Sequence, residues 1–260
     1  MKRTLLCGLL AAATLSATAQ AARTVPVQVD GDLLPGAAHL DQGVTYVPLR
    51  SLLDTLGGWE LHWDSASAQA VAQSGERRLT ASPAAGTVTL DGMAYPGLVY
   101  VSDGRTYVPL RLVANLLGGA AVWDPYLDGA AVTSAGADYD AVELYWLSRI
   151  ISAESRGEPM EGQIAVGNVV LNRVASDEFP DTIPAVVFDQ SYATQFEPVD
   201  NGTVYNTPAA QSVEAAKRVL DGEETVADAL YFYAPALSQG VWINANRPYF
   251  TTIGCHRFYL

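Results

Sequence analysis

The stretch Glu154-Ser155-Arg156-Gly157-Glu158-Pro159 decides how the second half of this chain folds, because it puts a carboxylate at the end of an apolar helix face. The apolar residues that precede Glu154 at steps of three and four are Leu144, Leu147 and Ile151. This spacing predicts an amphipathic helix with all four residues on one face. Gly157 favours a helix stop, and Pro159 disfavours helical backbone at the residue before it. We therefore expect the helix to end within a residue or two of Glu154.

A carboxyl group in that position is suited to general acid catalysis. In a partly apolar cleft the charged form of Glu154 is disfavoured, so its pKa rises toward the neutral range in which a general acid works. The alternative is a solvated glutamate at a helix end, which is the better expectation for an arbitrary glutamate. Other parts of the sequence are needed to choose between a general acid and a solvated glutamate at this position.

Composition and charge argue against several functional classes. The 28 acidic and 15 basic residues give a formal charge of −13, which repels phosphate backbones and anionic lipid, so nucleic acid is not an expected partner. A metal-dependent amidase or peptidase fits poorly, because the chain has three histidines without His-Glu-x-x-His spacing and only two cysteines. We predict no metal and no cofactor.

The first 21 residues are typical of a secretory signal. Lys2 and Arg3 form the positive start, Leu5 to Ala13 the apolar core, and residues 19–21 (Ala-Gln-Ala) a small-residue cleavage site. The apolar run is shorter than the roughly 20 residues that span a bilayer, and no later segment is long enough. We predict an exported protein without a transmembrane segment after processing. Cys255 then remains as a lone cysteine if Cys7 leaves with the signal.

An internal repeat occupies the first half of the chain. Asp30-Gly31 recurs 61 residues later as Asp91-Gly92, and Thr-Tyr-Val-Pro-Leu-Arg at 45–50 recurs at 106–111. Further matches are Pro35-Gly36 with Pro96-Gly97, Gly57-Gly58 with Gly118-Gly119, and Trp63-Asp64 with Trp123-Asp124. Each unit predicts a short strand, an Asp-Gly turn, a second strand, a short helix capped by Gly-Gly, and a return strand around the tryptophan.

This repeat resembles the copper amine oxidase N-terminal-like domain, a non-catalytic module of secreted bacterial proteins, over residues 25–134. The two units cover about residues 25–85 and 86–134. Only His39 and His62 lie in this half, too few histidines for a copper site.

Two interpretations of the repeated polar and aromatic residues remain. Tyr46, Tyr107, Arg50 and Arg111 are candidates for a surface that touches wall polymer or another protein. In the alternative, which we favour, the tyrosines and tryptophans belong to the core and the arginines tie strand to helix.

The second half is predicted to be mainly helical, after a linker of small residues at 135–140. Helices are expected from Asp138 or Asp140 to Glu154, Glu161 to Val174, Thr182 to Val187, and Thr207-Pro208 to Asp221-Gly222. Alternating residues near 230–233 and 251–259 predict a small closing sheet or hairpin. The fold class is therefore multidomain α+β, with a duplicated β-rich module before a mainly helical domain at 140–260.

This helical half resembles the cell wall hydrolase family of the spore cortex-lytic enzyme SleB. The resemblance begins with Ala153 to Pro159 and continues through Glu161-Gly162-Gln163 and the Val-Leu-Asn-Arg-Val run at 170–174. Later blocks in the same order are Gln195-Phe196, Ala229-Leu230-Tyr231-Phe232, Trp242-Ile243, Arg247-Pro248, and Ile253-Gly254 with His256 and Phe258. The resemblance implies a lysozyme-like domain that acts on peptidoglycan, with Glu154 as catalytic acid. Ser155 stands where the family has alanine, as in the Glu-Ser motif of soluble lytic transglycosylases.

Three functions stay open from the sequence. Only Glu154 is convincingly placed, which favours a lytic transglycosylase that closes a 1,6-anhydro ring with the sugar's own hydroxyl. Hydrolysis needs a second carboxylate, for which the candidates are Glu158, Glu161, Glu197 and Asp200. The third possibility is a non-catalytic wall-binding or structural protein. The expected partner is the glycan strand of peptidoglycan, from vegetative wall or spore cortex, and the expected location is extracellular and wall-associated.

Further candidates have weaker support. Gln195, in the long polar loop from Asp189 to Asn206, is a candidate sugar ligand. Tyr231 and Trp242 are candidates for stacking on sugar rings, although aromatic residues in strands are more often core. Glu158 is a fourth candidate substrate-binding residue. His256 is expected to be structural, and Arg173 is explained by the helix dipole or a buried acid. The acidic loop around Glu197 and Asp200 leaves calcium open.

Overall fold

The N-terminal module of this computed structural model is β-rich, and the structure describes residues 22–191 and 194–260, so the predicted signal lies outside the described residues. Its strands are β1 (Arg23–Val25), β2 (Val27–Val29), β3 (Asp32–Leu33), β4 (Ala38–Asp41), β5 (Val44–Pro48), β6 (Glu60–Asp64), β7 (Gln69–Ser74), β8 (Arg77–Ser82), β9 (Thr87–Leu90), β10 (Met93–Pro96), β11 (Tyr100–Ser102), β12 (Arg105–Pro109), β13 (Ala120–Asp124) and β14 (Gly129–Thr133). Its helices are α1 (Leu49–Leu56) and α2 (Leu110–Leu116).

Three sheets surround one apolar core in this module. Their strand orders are β1-β4-β5-β12-β11, β10-β9-β8-β7-β6 and β13-β14-β2-β3. The two strands that carry the repeated Tyr-Val-Pro segment, β5 and β12, pair antiparallel with Val47 opposite Val108. Each leads directly into its own helix. Both Asp-Gly pairs adopt positive φ at both residues (Asp30 51°, Gly31 94°, Asp91 49°, Gly92 87°), as expected for tight hairpin turns.

The repeated aromatic residues divide between core and surface. Tyr46 and Tyr107 are 6% and 3% exposed, which confirms the core prediction for the tyrosines. The same prediction is wrong for two tryptophans, because Trp63 and Trp123 are 46% and 38% exposed at outward positions of edge strands β6 and β13.

The repeated arginines connect helix to strand, as predicted. The Arg50 guanidinium donates to the carbonyl of Leu61 at 3.0 Å, and Arg111 donates to that of Ala121 at 3.3 Å. Each bond joins the first turn of a short helix to the strand that follows it.

Gly129 allows β14 to lie against the chain at Pro26. A Cβ on Gly129 would lie 2.3 Å from the Pro26 carbonyl oxygen and 3.1 Å from its carbonyl carbon, both backbone atoms. We expect Gly129→Ala to lower the free energy of unfolding by about 2 kcal/mol, since β14 then has to move away from the backbone at Pro26. Denaturant unfolding measures this, with Gly157→Ala as the control because no atom lies within 4 Å of its Cβ position. Equal stability of the two variants would contradict the prediction.

The second half is mainly helical, as predicted. Its elements are α3 (Ala141–Ser155), α4 (Met160–Ala175), α5 (Ile183–Val187), α6 (Glu197–Asp200), a 3-10 turn (Thr203–Tyr205), α7 (Ala210–Leu220), β15 (Tyr231–Tyr233), α8 (Val241–Asn246), β16 (Tyr249–Ile253) and β17 (His256–Tyr259). The three strands form one antiparallel sheet in the order β15-β17-β16. Among the described residues, no helix has the length and apolar character needed to cross a bilayer.

Helix α3 is buried on nearly all sides, so the amphipathic prediction for it is wrong. Asp140 caps its N-terminus by accepting from the backbone N–H groups of Val142 and Glu143. The end at Ser155 agrees with the expected stop. Burial extends around the helix because α4, α5 and α7 all pack against it, and part of the N-terminal module covers its first turns.

Three local predictions need correction. Helix α7 begins at Ala210 rather than at Thr207-Pro208, because the N–H of Ala209 donates to Ser152 Oγ (3.0 Å) and holds the preceding residues extended. Trp242 lies in α8, not in a strand. The loop from Asp189 to Asn206 contains α6 and the 3-10 turn in its described part.

Contacts join the two halves across residues 135–140. The Trp146 indole N–H donates to Asp124 Oδ2 at 2.7 Å, and both side chains are buried. Tyr126 stacks on Phe188 with ring centroids 4.7 Å apart, and Leu127 belongs to the apolar core of the helical domain. The β13–β14 turn of the N-terminal module is therefore part of the helical domain's core.

Candidate active site

Glu154 lies in the last turn of α3 and is partly buried. The neighbouring Ser155 is buried and donates its hydroxyl proton back to the Ile151 carbonyl at 2.8 Å, inside its own helix. Ser152, one turn before the helix end, accepts the N–H of Ala209. The segment that carries Glu154 is therefore held in place by contacts inside the helical domain, and it is not part of a solvent-exposed loop.

Burial, together with the negative charge of Glu197, raises the pKa of Glu154 from its ordinary value to about 7, while the positive charge of Arg173 opposes the rise. A glutamate with a pKa near 7 is protonated in a large fraction of molecules at neutral pH. This is the protonation state that donation to a leaving group requires.

Arg173, near the end of α4, is 4% exposed. Its Nε donates to the Leu230 carbonyl at 2.8 Å, and its guanidinium lies 4.8 Å from the Phe179 ring centroid and 5.6 Å from that of Tyr231. Burial lowers the pKa of Arg173 to about 10, so the guanidinium remains charged at neutral pH. The negative charges of Tyr231, Asp189 and Glu154, in that order of size, oppose this fall, so Glu154 is one of the acids whose charge acts on Arg173.

The Asn-Arg pair at the end of α4 positions the strand that follows. Asn172 Nδ2 donates to the carbonyls of Ala227 at 2.5 Å and Ala229 at 2.9 Å. Together with the Arg173 bond to Leu230, these contacts fix the chain just before β15. This arrangement could not be predicted from the sequence, because the partners lie more than fifty residues apart along the chain.

An open cleft of about 780 Å³ lies beside Arg173. Helix α4, the described part of the Asp189–Asn206 loop, β15 and α8 form its walls. Gln195, Tyr231 and Trp242 line it, as does Arg247, which the sequence did not single out as a site residue. Glu154 is not among the lining residues, but the charge of Arg173, which is one of them, acts on its pKa.

One wall of the cleft is an aromatic and cationic stack. Arg247 donates to the Tyr231 hydroxyl at 2.6 Å, and its guanidinium lies 4.4 Å from the Tyr231 ring and 5.7 Å from the Trp242 ring. Glu178 accepts a further bond from Arg247 at 3.2 Å. Trp242 is 56% exposed, so one side of its indole is open to solvent. An exposed indole held by a fixed cation is suited to stacking on a ligand ring.

Glu158 lies apart from this cleft. Its Oε2 accepts the N–H of Cys255 at 2.8 Å, at the turn between β16 and β17. A Cβ on Gly254 would meet the same oxygen, so glycine is needed there for the close approach. These contacts give Glu158 a structural task in the hairpin turn, and its predicted substrate-binding role stays a prediction.

The other carboxylates differ in their relation to Glu154. Glu197, at the start of α6, is close enough for its charge to raise the pKa of Glu154. Asp200 accepts the Thr194 hydroxyl at 2.9 Å, and Glu161 is exposed in the first turn of α4. Among the described residues, no group of three or more His, Cys, Asp or Glu side chains is placed to hold a metal ion.

His256 is 6% exposed and packs edge-on against Phe232 with ring centroids 5.4 Å apart. Burial lowers its pKa, so the ring is neutral at neutral pH. These contacts agree with the structural role expected for it.

Comparison with known proteins covers both halves of the chain. Residues 157–259 match the Cell Wall Hydrolase family, a range that begins just after Glu154, and residues 28–127 match the Copper amine oxidase N-terminal domain. The spore cortex-lytic enzyme of Bacillus cereus is 35% identical over 120 residues, which cover 46% of this chain and 45% of that protein. The spore cortex-lytic enzyme of Halalkalibacterium halodurans is 33% identical over 126 residues, 48% of this chain and 37% of that protein.

Among solved structures, the catalytic domain of the germination-specific lytic transglycosylase SleB from Bacillus anthracis is 34% identical and covers 47% of this chain and 98% of that one, with a TM-score of 0.43. The chain spans less than half the length of the curated relatives named above. The sequence matches confirm both resemblances. The chain therefore carries a cell wall hydrolase domain at residues 157–259 and a copper amine oxidase N-terminal domain at residues 28–127.

Proposed function

We propose that this protein is a secreted peptidoglycan lytic enzyme in which Glu154 is the general acid. The observation that carries the proposal is the pKa of Glu154, which is raised to about 7 mainly by burial, in a side chain whose charge interacts with Arg173 of the open cleft. The expected substrate is the glycan strand, cleaved between N-acetylmuramic acid and N-acetylglucosamine. The names of the relatives, spore cortex-lytic enzymes, support this substrate class and leave vegetative wall and cortex both open.

The proposed reaction is that of a lytic transglycosylase. Protonated Glu154 donates its proton to the glycosidic oxygen, and the bond from that oxygen to C1 of muramic acid breaks. The C6 hydroxyl of the same sugar then attacks C1 and gives its proton to the Glu154 carboxylate, which closes a 1,6-anhydro ring and restores the acid. No nucleophilic water enters, so one carboxyl group suffices.

The cleft supplies binding groups for a sugar chain. Tyr231 and the exposed indole of Trp242 offer ring faces, while Arg247 and Gln195 offer polar contacts. Arg173 is a positioning residue in this proposal, because it lines the cleft and also tempers the pKa of Glu154. We further propose that the helical domain is lysozyme-like and that the N-terminal module arose by duplication.

Hydrolysis is the second candidate, and one observation favours it. The charge of Glu197 acts on Glu154, so Glu197 is the best placed of the four candidate carboxylates to activate a water molecule. A non-catalytic wall-binding protein is the third candidate. A non-catalytic protein does not need a glutamate whose pKa is near 7, so this observation argues against the third candidate.

Product analysis separates these candidates. The mature protein is incubated with purified peptidoglycan, and the soluble fragments are identified by mass spectrometry. Anhydro-muropeptides support the transglycosylase. Fragments with reducing ends establish hydrolysis, and absence of fragments from both vegetative wall and cortex favours the wall-binding alternative.

The proposal predicts a descending pH profile. Below about pH 7 Glu154 is protonated and able to donate, and as pH rises through about 7 it loses that proton, so kcat/KM falls. Glu197→Gln removes a charge that raises the pKa of Glu154, so the descending limb moves to lower pH. Arg173→Gln removes a charge that lowers it, so the limb moves to higher pH. Rates of fragment release between about pH 5 and 9 measure both shifts.

Glu161→Gln is the matched control for these shifts. It removes an exposed carboxylate from the first turn of α4 and leaves the carboxylate of Glu197 and the guanidinium of Arg173 in place. Its profile should coincide with that of the wild type. Shifts of the same size in all three variants, or in none, contradict the assignment of the limb to Glu154.

A further inference from the structure

Two shallow grooves of similar size lie on the N-terminal module, about 410 and 370 Å³ in volume. The lining of the first groove includes Arg50, Trp63 and Arg105. The lining of the second includes Arg111 and Trp123. Neither groove belongs to the cleft of the helical domain.

The two grooves are built from corresponding residues of the two repeat units. Pro48, Arg50 and Trp63 of the first unit face the β11–β12 turn of the second unit in the first groove. In the second groove, Pro109, Arg111 and Trp123 of the second unit face the β4–β5 turn of the first. The exchange follows from the antiparallel β5–β12 pair, whose centre is Val47 opposite Val108. A local two-fold axis through the centre of this strand pair relates the two grooves, and the grooves lie at opposite ends of the pair.

Each groove combines an exposed indole with a cation. Trp63 is 46% exposed and Trp123 38% exposed, although two other repeated aromatic residues, Tyr46 and Tyr107, are buried. The residues that line the grooves in the described chain include three arginines and neither Asp nor Glu. In a protein with a formal charge of −13, two acid-free grooves select for an anionic ligand.

We propose that the two grooves bind a glycan strand of hexosamine rings whose attached groups carry carboxylates, as the stem peptides of peptidoglycan do. The indoles stack on the apolar faces of sugar rings, and the arginines take the carboxylates. The identity of this polymer rests on the proposed function, but binding in the grooves does not depend on Glu154. Two sites on one polymer raise its retention through effective concentration.

We expect the first groove to bind the glycan more tightly than the second. Arg105 there corresponds to Val44 in the second groove, and His62 corresponds to Val122. Trp123 is also covered on one side by Arg23, whose guanidinium lies 5.6 Å from the indole centroid and is paired with Asp128. The second groove therefore offers less positive charge and less open indole.

Co-sedimentation with insoluble peptidoglycan tests the proposal. The mature chain carries Glu154→Gln in every sample to limit digestion. The fraction of bound protein is measured as a function of polymer concentration. Chitin, an uncharged hexosamine polymer, is the comparison polymer. We expect Trp63→Ala to weaken binding roughly tenfold, Trp123→Ala to weaken it less, and the double variant to weaken it most. Arg105→Glu should weaken binding to peptidoglycan without changing the melting temperature.

Met93→Ala is the matched control, since Met93 is 65% exposed on the same module and lines neither groove. Retention of the double variant and of Arg105→Glu at the wild-type level overturns the proposal. So does equal binding to chitin and peptidoglycan, because the arginines then have no carboxylate to recognise. With Glu154 restored, the groove variants should cleave short soluble glycan fragments at the wild-type rate. A failure of lytic activity alone therefore leaves the binding result intact.

Discussion

Glu154→Gln should lower the rate of fragment release from peptidoglycan by about a thousandfold, within the range expected for loss of a general acid. Glutamine keeps the shape of the side chain and its place at the end of α3, but its amide cannot donate a proton to a leaving oxygen. The glycosidic bond then has to break without protonation. Release of soluble fragments per enzyme molecule is the measurement, at a pH below about 7 where wild-type Glu154 is protonated.

Glu197→Gln gives this experiment its second arm. In a transglycosylase Glu197 acts only through its charge on Glu154, so its loss shifts the pH profile and leaves the maximal rate near that of the wild type. In a hydrolase that uses Glu197 as base, the same substitution costs a rate factor comparable to the loss of the acid. Unchanged activity of Glu154→Gln, with folding confirmed by its melting curve, would exclude Glu154 as the acid.

The position of Glu154 was predictable because the signals were local. Helical spacing of apolar residues, a glycine and a proline within a few positions fix where α3 ends. A carboxyl group that continues the apolar face of a helix is desolvated when that face packs, so the raised pKa followed from the same pattern.

The surroundings of Glu154 were not predictable, because they come from distant parts of the chain. Arg173 is fixed by the Leu230 carbonyl, 57 residues away, and nothing in the sequence near either residue indicates that contact. Arg247 lines the cleft and directly follows α8, which has six residues and none of them buried. A helix that short and exposed has no apolar periodicity for sequence analysis to detect.

The exposure of Trp63 and Trp123 shows a different limit of prediction from sequence. Their spacing within the repeat was visible, but a strand pattern of period two does not say which face meets the core. Tertiary packing put Tyr46 and Tyr107 inside and both tryptophans outside. The same cause explains α3, whose polar residues Ser148, Arg149 and Ser152 are buried because other elements surround the helix.

Asp124→Ala should lower the free energy of unfolding by about 3 kcal/mol, because it removes a buried acceptor that serves three donors. Asp124 Oδ1 accepts the N–H groups of Tyr126 at 2.9 Å and Leu127 at 3.2 Å, and Oδ2 accepts the indole N–H of Trp146 at 2.7 Å. Asp124 is 1% exposed and Trp146 is fully buried. Without the carboxylate, the indole N–H has no acceptor in the core of the helical domain. Denaturant unfolding of the whole mature chain measures the loss.

Asp64 is the matched control, since Trp63-Asp64 corresponds to Trp123-Asp124 in the repeat. It caps its own turn in the same way, by accepting the N–H of Ala66 at 3.0 Å, but it is more exposed and its second oxygen bonds the nearby Ser67 hydroxyl. Asp64→Ala therefore removes the turn cap alone and should have a much smaller effect than Asp124→Ala. The difference between the two variants isolates the contact that joins the halves of the chain. Equal losses would mean that the Asp124–Trp146 bond adds nothing to the turn, and that the halves are stabilised independently of it.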